Sequence, residues 1–260
     1  GLYVSFTEWN VLTEPEFTGL SNFIEIIGSA NFWTTTGNTF IYVFGVVPLT
    51  VALSLFLAVL LDKEVKGRSL FRALFYVPTI LSFIVIGVTW RWIFGGNFGV
   101  ANYVLELLGF SAIDWLTNST TATVMVILAT IWARTGYFFV MFLAGLQGIP
   151  SVYYEAADID GTTNFQKFRF ITLPLLKPVA LVVVVLDTIE AFKMFGLIKV
   201  MTEGGPGDAT TYMVQEIYLT AFEAGDMGYA SAMSVMLFVI LGILTFTQFQ
   251  ISRRGVNAYE

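Results

Sequence analysis

Long apolar stretches constrain this chain more than any other feature of its sequence. A helix that crosses a bilayer needs about 20 mostly apolar residues. Stretches of that kind lie at residues 38–61, 73–94, 121–146, 175–198 and 228–251. Only 12% of the residues are charged, whereas a typical soluble domain has about 25%. We therefore predict an all-α fold, a polytopic membrane helix bundle with five transmembrane helices in this chain.

Two of the stretches contain a proline, Pro48 in the first and Pro78 in the second. Proline removes a backbone donor and frees a carbonyl group. Neighbouring helices and local adjustments satisfy such carbonyls inside membrane bundles. Neither proline therefore argues against a span.

The positions of lysine and arginine predict the orientation, because short cytoplasmic loops are rich in these residues. Nine of them lie in the 62–72 loop, the 147–177 segment and the tail, namely Lys63, Lys66, Arg68, Arg72, Lys167, Arg169, Lys177, Arg253 and Arg254. The loops 1–37 and 95–120 have none, and 199–227 has only Lys199. This alternation predicts a cytoplasmic C-terminus and an outside position for Gly1.

A chain that starts outside needs a preceding span to carry it there. We therefore expect six spans in the complete protein, with 1–37 as the extracytoplasmic segment after a missing first span and 38–254 as the transmembrane domain. The predicted location is the plasma or inner membrane, with several passes through the bilayer.

Composition excludes several classes of function. The chain has no cysteine and no histidine, so thiol chemistry and the commonest general base and metal ligand are missing. We predict no catalytic residue, no metal site and no cofactor in this chain. A net charge of -6 argues against nucleic-acid binding. The sequence also lacks the phosphate loop G-x-x-x-x-G-K-[ST], so the chain is not an ATPase.

The cytoplasmic segment 147–174 is polar and too long for a simple turn. Pro150 and Ser151 can begin a helix, with Ser151 as its N-cap, and Gly161 can end it. The sequence predicts a helix of about nine residues between them, outside the membrane.

This helix is amphipathic. Val152, Ala156 and Ile159 fall on one face, and Glu155 and Asp158 fall on another. Such a helix either lies at the lipid interface or docks in the groove of a partner protein. Its polar face carries acids, which the anionic inner leaflet repels, so docking on a partner is favoured while the lipid alternative stays open.

A spaced motif runs through the same segment and consists of Glu155, Ala156, Ala157, Gly161, Ile171, Leu173 and Pro174. It resembles the EAA loop of binding-protein-dependent ABC importer permeases, which have a MetI-like transmembrane domain. The segments 17–23, 67–72, 144–150, 203–206 and 227–232 resemble the sugar branch of that family, which includes permeases for maltose, other oligosaccharides and glycerol 3-phosphate.

The resemblance implies a role for each part. The motif helix would be the coupling helix that sits in a cleft of an ATP-binding subunit. Two such subunits would carry ATP and Mg, and a second related permease would complete a heterodimer. An extracytoplasmic solute-binding protein would deliver a sugar-like solute, which crosses the lipid bilayer by alternating access.

Ionisable residues inside spans are costly and usually face the bundle interior. Glu190 and Lys193 can pair on one helix, and Arg134 can reach Asp187 or Glu190. These charges are either a structural network or a polar patch for solute hydroxyls, and both alternatives stay open. The predicted solute pathway comprises Trp132, Arg134, Thr135, Tyr137, Asp187, Glu190 and Lys193.

Two questions stay open at this point. An ion-coupled secondary transporter, with Asp187 and Glu190 as proton carriers, is the alternative function. The solute is either a neutral oligosaccharide or an anionic polyol phosphate, since Arg134 and Lys193 could receive an anion.

Overall fold

The structure is a computed structural model that describes residues 1–10, 12, 14–62, 67–96 and 98–256, the last four by backbone alone. Four of the cations that predict the orientation fall outside this description. They are Lys63 and Lys66, and the side chains of Arg253 and Arg254.

The first half of the chain begins with a 3-10 turn, Val4–Phe6, and a short antiparallel sheet of β1 (Thr7–Glu8) and β2 (Glu16–Phe17). The helices that follow are α1 (Ser21–Gly28), α2 (Ala30–Asp62), α3 (Arg68–Ile80), α4 (Phe83–Ile93), α5 (Val100–Leu107) and α6 (Ser119–Gln147).

The second half contains α7 (Val152–Ile159), α8 (Asn164–Lys167), a π-helical turn (Phe168–Thr172), α9 (Leu173–Leu175), α10 (Lys177–Phe192), α11 (Gly196–Met201), α12 (Met213–Tyr218), a second π-helical turn (Leu219–Glu223) and α13 (Met227–Val256). The predicted all-α class is confirmed, because the sheet has only two residues in each strand of the described chain.

In the part of the chain that the structure describes, three helices, α2, α6 and α13, are long and apolar enough to cross a membrane. The last two agree with the predicted spans 121–146 and 228–251. Helix α2 begins at Ala30, within the segment that was predicted to be extracytoplasmic. The threonines of its first turns explain the difference, because the Thr34 and Thr35 hydroxyls donate to the carbonyl oxygens of Ala30 and Asn31, at 3.0 and 2.9 Å. These polar residues continue the helix although they lower its hydropathy.

The other two predicted spans are interrupted. Helices α3 and α4 meet at an angle of 99°, so the stretch 73–94 is bent rather than straight. The stretch 164–175 and α10 meet at 66°, and the helix of the predicted span 175–198 ends at Phe192 and resumes at Gly196. By length and composition, the described residues contain up to five spans if each bent pair counts as one.

The chain divides into two compact units. Gly1–Gly45, Phe83–Ala129 and Ile189–Phe246 form the first unit; Val46–Ser82, Thr130–Thr188 and the segment from Thr247 onward form the second. In the first unit the rings of Tyr42 and Tyr212 stack with centroids 4.6 Å apart.

The core of the second unit is apolar and comes from three helices. Its buried members are Leu57, Ala58 and Leu61 of α2, Phe138, Phe139, Phe142, Leu143 and Leu146 of α6, and Val183 of α10, together with Leu176. Gly136 of α6 allows α3 to approach closely, since a Cβ atom there would lie 2.0 Å from the carbonyl oxygen of Phe75. A side chain at this position would separate the two helices.

Candidate functional site

The predicted motif helix is present as α7, Val152–Ile159. Gly161 ends it in the left-handed region, with φ 69°, where glycine meets no Cβ penalty. Ser151 occupies the N-cap position, but its side chain makes no capping hydrogen bond. Its backbone already has helical angles, φ -58° and ψ -28°, whereas a capping side chain normally needs an extended backbone.

The apolar face of α7 is open. Val152, Ala156 and Ile159 are all exposed, and Ala157 is the buried residue of the helix. Glu155 is also exposed, in the first turn. The helix therefore presents a small apolar surface edged by acids, as a helix that docks on another protein does.

Two contacts hold α7 against the segment that precedes α10. The Tyr154 hydroxyl oxygen lies 2.9 Å from the Thr172 hydroxyl oxygen, and Lys167 forms an ion pair with Asp158. Thr163 and Gln166 form a capping box at the start of α8. This part of the chain therefore forms a compact loop.

The remaining motif residues lie in this loop. Ile171 belongs to the π-helical turn, and Leu173 and Pro174 form the start of α9. Ile171 and Pro174 are partly buried, whereas Leu173 is exposed. Sequence reasoning missed Tyr154 and Thr172, because no local pattern indicates a contact between residues so far apart in the chain.

A buried ion pair lies in the second unit. Arg134 Nη2 is 3.0 Å from Asp187 Oδ1, and the two side chains are 6% and 0% exposed. The Arg134 guanidinium also lies over the Phe138 ring, 5.5 Å from its centroid. Thr135 is buried, and its hydroxyl donates to the Ile131 carbonyl at 2.6 Å. These three predicted pathway residues are thus enclosed by protein.

The second predicted ion pair lies in the first unit and is accessible. Lys193 Nζ is 3.2 Å from Glu190 Oε1, and both side chains are more than half exposed. Lys193 directly follows the last residue of α10, where a cation interacts favourably with the helix dipole.

Residues 193–195 separate α10 from α11. Irregular backbone inside a membrane occurs only within protein or beside a water-filled cavity. The charged pair and the irregular segment therefore mark a polar position inside an otherwise apolar stretch.

Helices α4 and α11 pack closely together in the first unit. A Cβ atom on Gly87 would lie 2.7 Å from the Leu197 carbonyl oxygen, and one on Gly196 would lie 3.4 Å from Ile84. Arg91 Nη1 donates to Glu203 Oε1 at 2.7 Å and to the Val200 carbonyl at 3.0 Å. The Arg91 guanidinium lowers the pKa of Glu203 through this hydrogen bond. Helix α4 is thus joined to α11 by close glycine contacts, and to the residues that follow α11 by an ion pair.

The two aromatic residues predicted for the pathway, Trp132 and Tyr137, are exposed. They lie on one helix, α6, and five residues correspond to a rotation of about 140°. They therefore point to different sides of the helix and do not form one aromatic surface.

Comparison with known proteins identifies the family. Residues 50–257 match the binding-protein-dependent transport system inner membrane component. The chain belongs to this family. The permease is therefore a membrane component of a transport system, and the resemblance found in its sequence is confirmed. An ion-coupled secondary transporter is not favoured, because the family depends on a binding protein.

Curated relatives cover nearly all of the permease. It is 38% identical to the trehalose/maltose transport system permease protein MalF of Thermococcus litoralis, over 91% of this chain and 79% of that protein. It is 40% identical to the probable ABC transporter permease protein YesP of Bacillus subtilis, over 100% of this chain and 84% of that protein. The sulfoquinovosyl glycerol transport system permease protein SmoG of Agrobacterium fabrum is 34% identical, over 97% of this chain and 82% of its own length.

Solved structures support the fold. The permease resembles a chain of a bacterial alginate ABC transporter that was crystallised with an alginate pentasaccharide-bound periplasmic protein. The TM-score is 0.83 at 22% identity, and the match covers 91% of this chain and 83% of that chain. The interrupted helices described above thus belong to a fold that is known from ABC transporters.

Proposed function

We propose that this permease is the membrane subunit of an ATP-driven importer for an uncharged sugar or oligosaccharide. The observation that carries the proposal is α7, whose apolar face is exposed while Tyr154 and Asp158 fix it to the loop before α10. A rigidly held helix with an open apolar face suits a mechanical connection to another subunit.

The proposed partners follow from this arrangement. Two ATP-binding subunits would receive coupling helices, and these subunits would hold ATP and Mg. A second related permease would contribute the other coupling helix. An extracytoplasmic binding protein would deliver the solute, and the loop that includes 203–208 is a candidate contact for it.

The proposed orientation has α7 and the C-terminus in the cytoplasm. The described cations Arg68, Arg72, Lys167, Arg169 and Lys177 support it, since they lie at the start of α3 and in the segment from α8 to the start of α10, which are on the same predicted side. The loop of 95–120 has no lysine or arginine, as is typical of an outer loop.

Closure of the two ATPase subunits would move α7 together with its loop. The Tyr154 to Thr172 contact would transmit this movement to the π-helical turn, and from there to α10. The bundle would then open outward to receive the solute. Each cycle would alternate between outward and inward access.

A solute contact from Tyr137 or Trp132 stays a prediction. For the solute pathway we propose contacts from Glu190 and Lys193. Their exposure supports this role, because a charge on a helix that faced lipid would cost about 2.5–3.5 kcal/mol. The buried residues Arg134, Thr135 and Asp187 would instead have a structural role, since the Arg134–Asp187 pair connects α6 to α10.

Named relatives support a sugar as the solute. One relative is named for trehalose and maltose, another for sulfoquinovosyl glycerol, and AmyD of Thermoanaerobacterium thermosulfurigenes is named for starch degradation products. AmyD is 30% identical over 98% of this chain and 86% of its own length.

The charge distribution favours an uncharged sugar over an anionic one. Three cations inside the predicted spans have a carboxylate partner, in the pairs Arg91 with Glu203, Arg134 with Asp187, and Lys193 with Glu190. An anionic solute would have to displace one of these carboxylates. Sugar hydroxyls can donate to the carboxylate and accept from the ammonium of the Glu190 pair without separating it.

Uptake into proteoliposomes tests this function. The purified transporter, its binding protein and labelled maltose or maltotriose should give uptake that requires ATP hydrolysis and no ion gradient. Glycerol 3-phosphate should be a poor solute. Uptake that continues with a non-hydrolysable ATP analogue and follows a proton gradient would contradict the importer, and faster uptake of glycerol 3-phosphate would contradict the uncharged solute.

A further inference from the structure

Helix α1 carries a stripe of exposed apolar side chains that the transport function does not use. Leu20, directly before the helix, is 61% exposed, Ile24 is 70% exposed and Ile27 is 56% exposed. At about 100° per residue, these three positions lie within about 60° of each other around the helix axis. Residues of this size are seldom left in water along one continuous stripe.

The rest of α1 is fixed to its own unit. Ile26 is fully buried, and the Phe23 ring contacts the Phe6 ring at 5.4 Å between centroids. The Asn22 side-chain amide donates to the carbonyl oxygens of Ser5 and Thr7, at 3.2 and 3.0 Å. The helix is therefore held in one orientation, and its exposed stripe is a fixed surface.

Trp33 relates this surface to the bilayer. Its indole N–H donates to the Ile27 carbonyl at 2.8 Å, which joins the first turns of α2 to the end of α1. Tryptophan is enriched where spans meet the membrane–water interface. Trp33, Ile41 and Phe44 are all exposed along α2, and Trp33 and Phe44 lie about 20° apart around its axis. Trp33, which contacts α1, thus lies at the start of the exposed apolar side of α2.

We propose that α1 lies in the outer interface of the bilayer, with Leu20, Ile24 and Ile27 inserted among the lipid chains. The occupant of this apolar stripe is lipid because its last residue, Ile27, contacts Trp33, which belongs to the exposed apolar side of the spanning helix α2. Glu25 lies on the opposite side of α1 and is exposed, which suits a helix whose other face meets water.

The binding would depend on apolar area and not on charge. Residues 1–37 contain no lysine or arginine, so anionic lipids have no cation in this segment to attract. Immersion of α1 should therefore be the same in zwitterionic and anionic membranes. It would fix the height and tilt at which α2 begins.

Spin labelling tests the proposal directly, because the chain has no cysteine of its own. Ile24→Cys and the adjacent Glu25→Cys form a matched pair, since both side chains are exposed and neither substitution disturbs packing. A second pair, Ile27→Cys and Ser21→Cys, repeats the comparison. Each variant is labelled with a nitroxide in the complete transporter, with the partner subunits free of cysteine, and reconstituted in phosphatidylcholine vesicles.

We expect the labels at 24 and 27 to collide several-fold more with oxygen, relative to a water-soluble nickel chelate, than those at 25 and 21. The ratio should not change when phosphatidylglycerol or saturating binding protein is added. Equal access to the nickel chelate at all four positions would overturn the proposal. Protection at 24 that requires the binding protein would assign the stripe to that protein, and protection that requires phosphatidylglycerol would refute the charge-independent mechanism. None of these results depends on which solute is carried.

Discussion

The Tyr154 hydroxyl oxygen lies 2.9 Å from the Thr172 hydroxyl oxygen, across 18 residues of sequence. This contact joins the motif helix α7 to the π-helical turn Phe168–Thr172. Single π-helical turns are rare and frequently occur at functional sites. The contact thus connects the surface available to a partner with the start of α10.

Tyr154→Phe removes this hydrogen bond and leaves the ring in place. A neutral hydrogen bond contributes about 0.5–1.5 kcal/mol, so we expect transport per ATP hydrolysed to fall about two- to tenfold. Thr172→Val should have a similar effect, and the double variant should be no worse than either single variant. The measurement is the ratio of solute uptake to phosphate release in proteoliposomes. Additive losses in the double variant would show that the two residues act independently.

The buried Arg134–Asp187 pair should behave as a structural pair. Asp187→Asn leaves a buried guanidinium without its counter-charge and should destabilise the protein by about 3–5 kcal/mol. The double variant Arg134→Met/Asp187→Leu should recover most of this loss, because both charges are then absent. Thermal unfolding of the purified complex measures the effect. A double variant that is stable but inactive in uptake would instead place the pair in the solute pathway.

Gly87→Ala tests the close contact of α4 with α11. The added Cβ atom would lie 2.7 Å from the Leu197 carbonyl oxygen, and this backbone atom cannot move aside alone. Overpacking of this kind costs about 1–3 kcal/mol, and a lower unfolding temperature is expected. Gly37→Ala is the matched control, since a Cβ atom at that helical position meets nothing within 4 Å. Equal unfolding temperatures for the two variants would refute the contact.

Glu216 should make stability depend on pH. Burial raises the pKa of its carboxyl group, against a lowering by the hydrogen bond from Asn31. A pKa that is higher in the folded state stabilises the fold below the unfolded value, near 4.3, and this contribution is lost as pH rises through the folded pKa. Glu216→Gln resembles the protonated form and keeps an oxygen for the Asn31 amide.

We therefore expect Glu216→Gln to unfold at the same temperature as the natural protein at pH 4 and at a higher temperature at pH 7. The measurement is the unfolding temperature of the purified complex across this range. A difference that is larger at pH 4 than at pH 7 would have the wrong sign and would exclude the proposed cause.

Much of the fold could be predicted from hydropathy and from residues that end helices. The stretches that became α6 and α13 are long and largely apolar, and Gly161 ends α7 through a backbone conformation that glycine favours. The breaks after Ile80 and Phe192 were not predicted, because single polar residues such as Ser82 and Lys193 do not interrupt the apolar character of the stretches 73–94 and 175–198. Hydropathy indicates whether a segment prefers water or an apolar environment. It contains no information about the direction of the helix axis.

The candidate sites were predictable where charge or spacing determines the contact. Glu190 and Lys193 pair because three residues place them on one side of a helix, and Arg134 pairs with one of its two predicted carboxylates, Asp187. Ser151 does not cap α7, because its backbone has helical angles. Trp132 and Tyr137 lie on different sides of α6, because five residues rotate the helix by about 140°. The Tyr154 to Thr172 contact depends on the fold of the whole loop.

The central claim is that α7 docks on a separate ATPase, and a cross-linking measurement tests it most directly. Ile159→Cys is the probe because this residue of the apolar face is exposed, and Phe98→Cys, exposed in the predicted outer loop, is the control. A short thiol-directed cross-linker applied to the complete transporter in inside-out vesicles should join position 159 to an ATP-binding subunit and should not join position 98. Failure of position 159 to cross-link, or its labelling by an impermeant reagent from the outside of intact cells, would contradict the account.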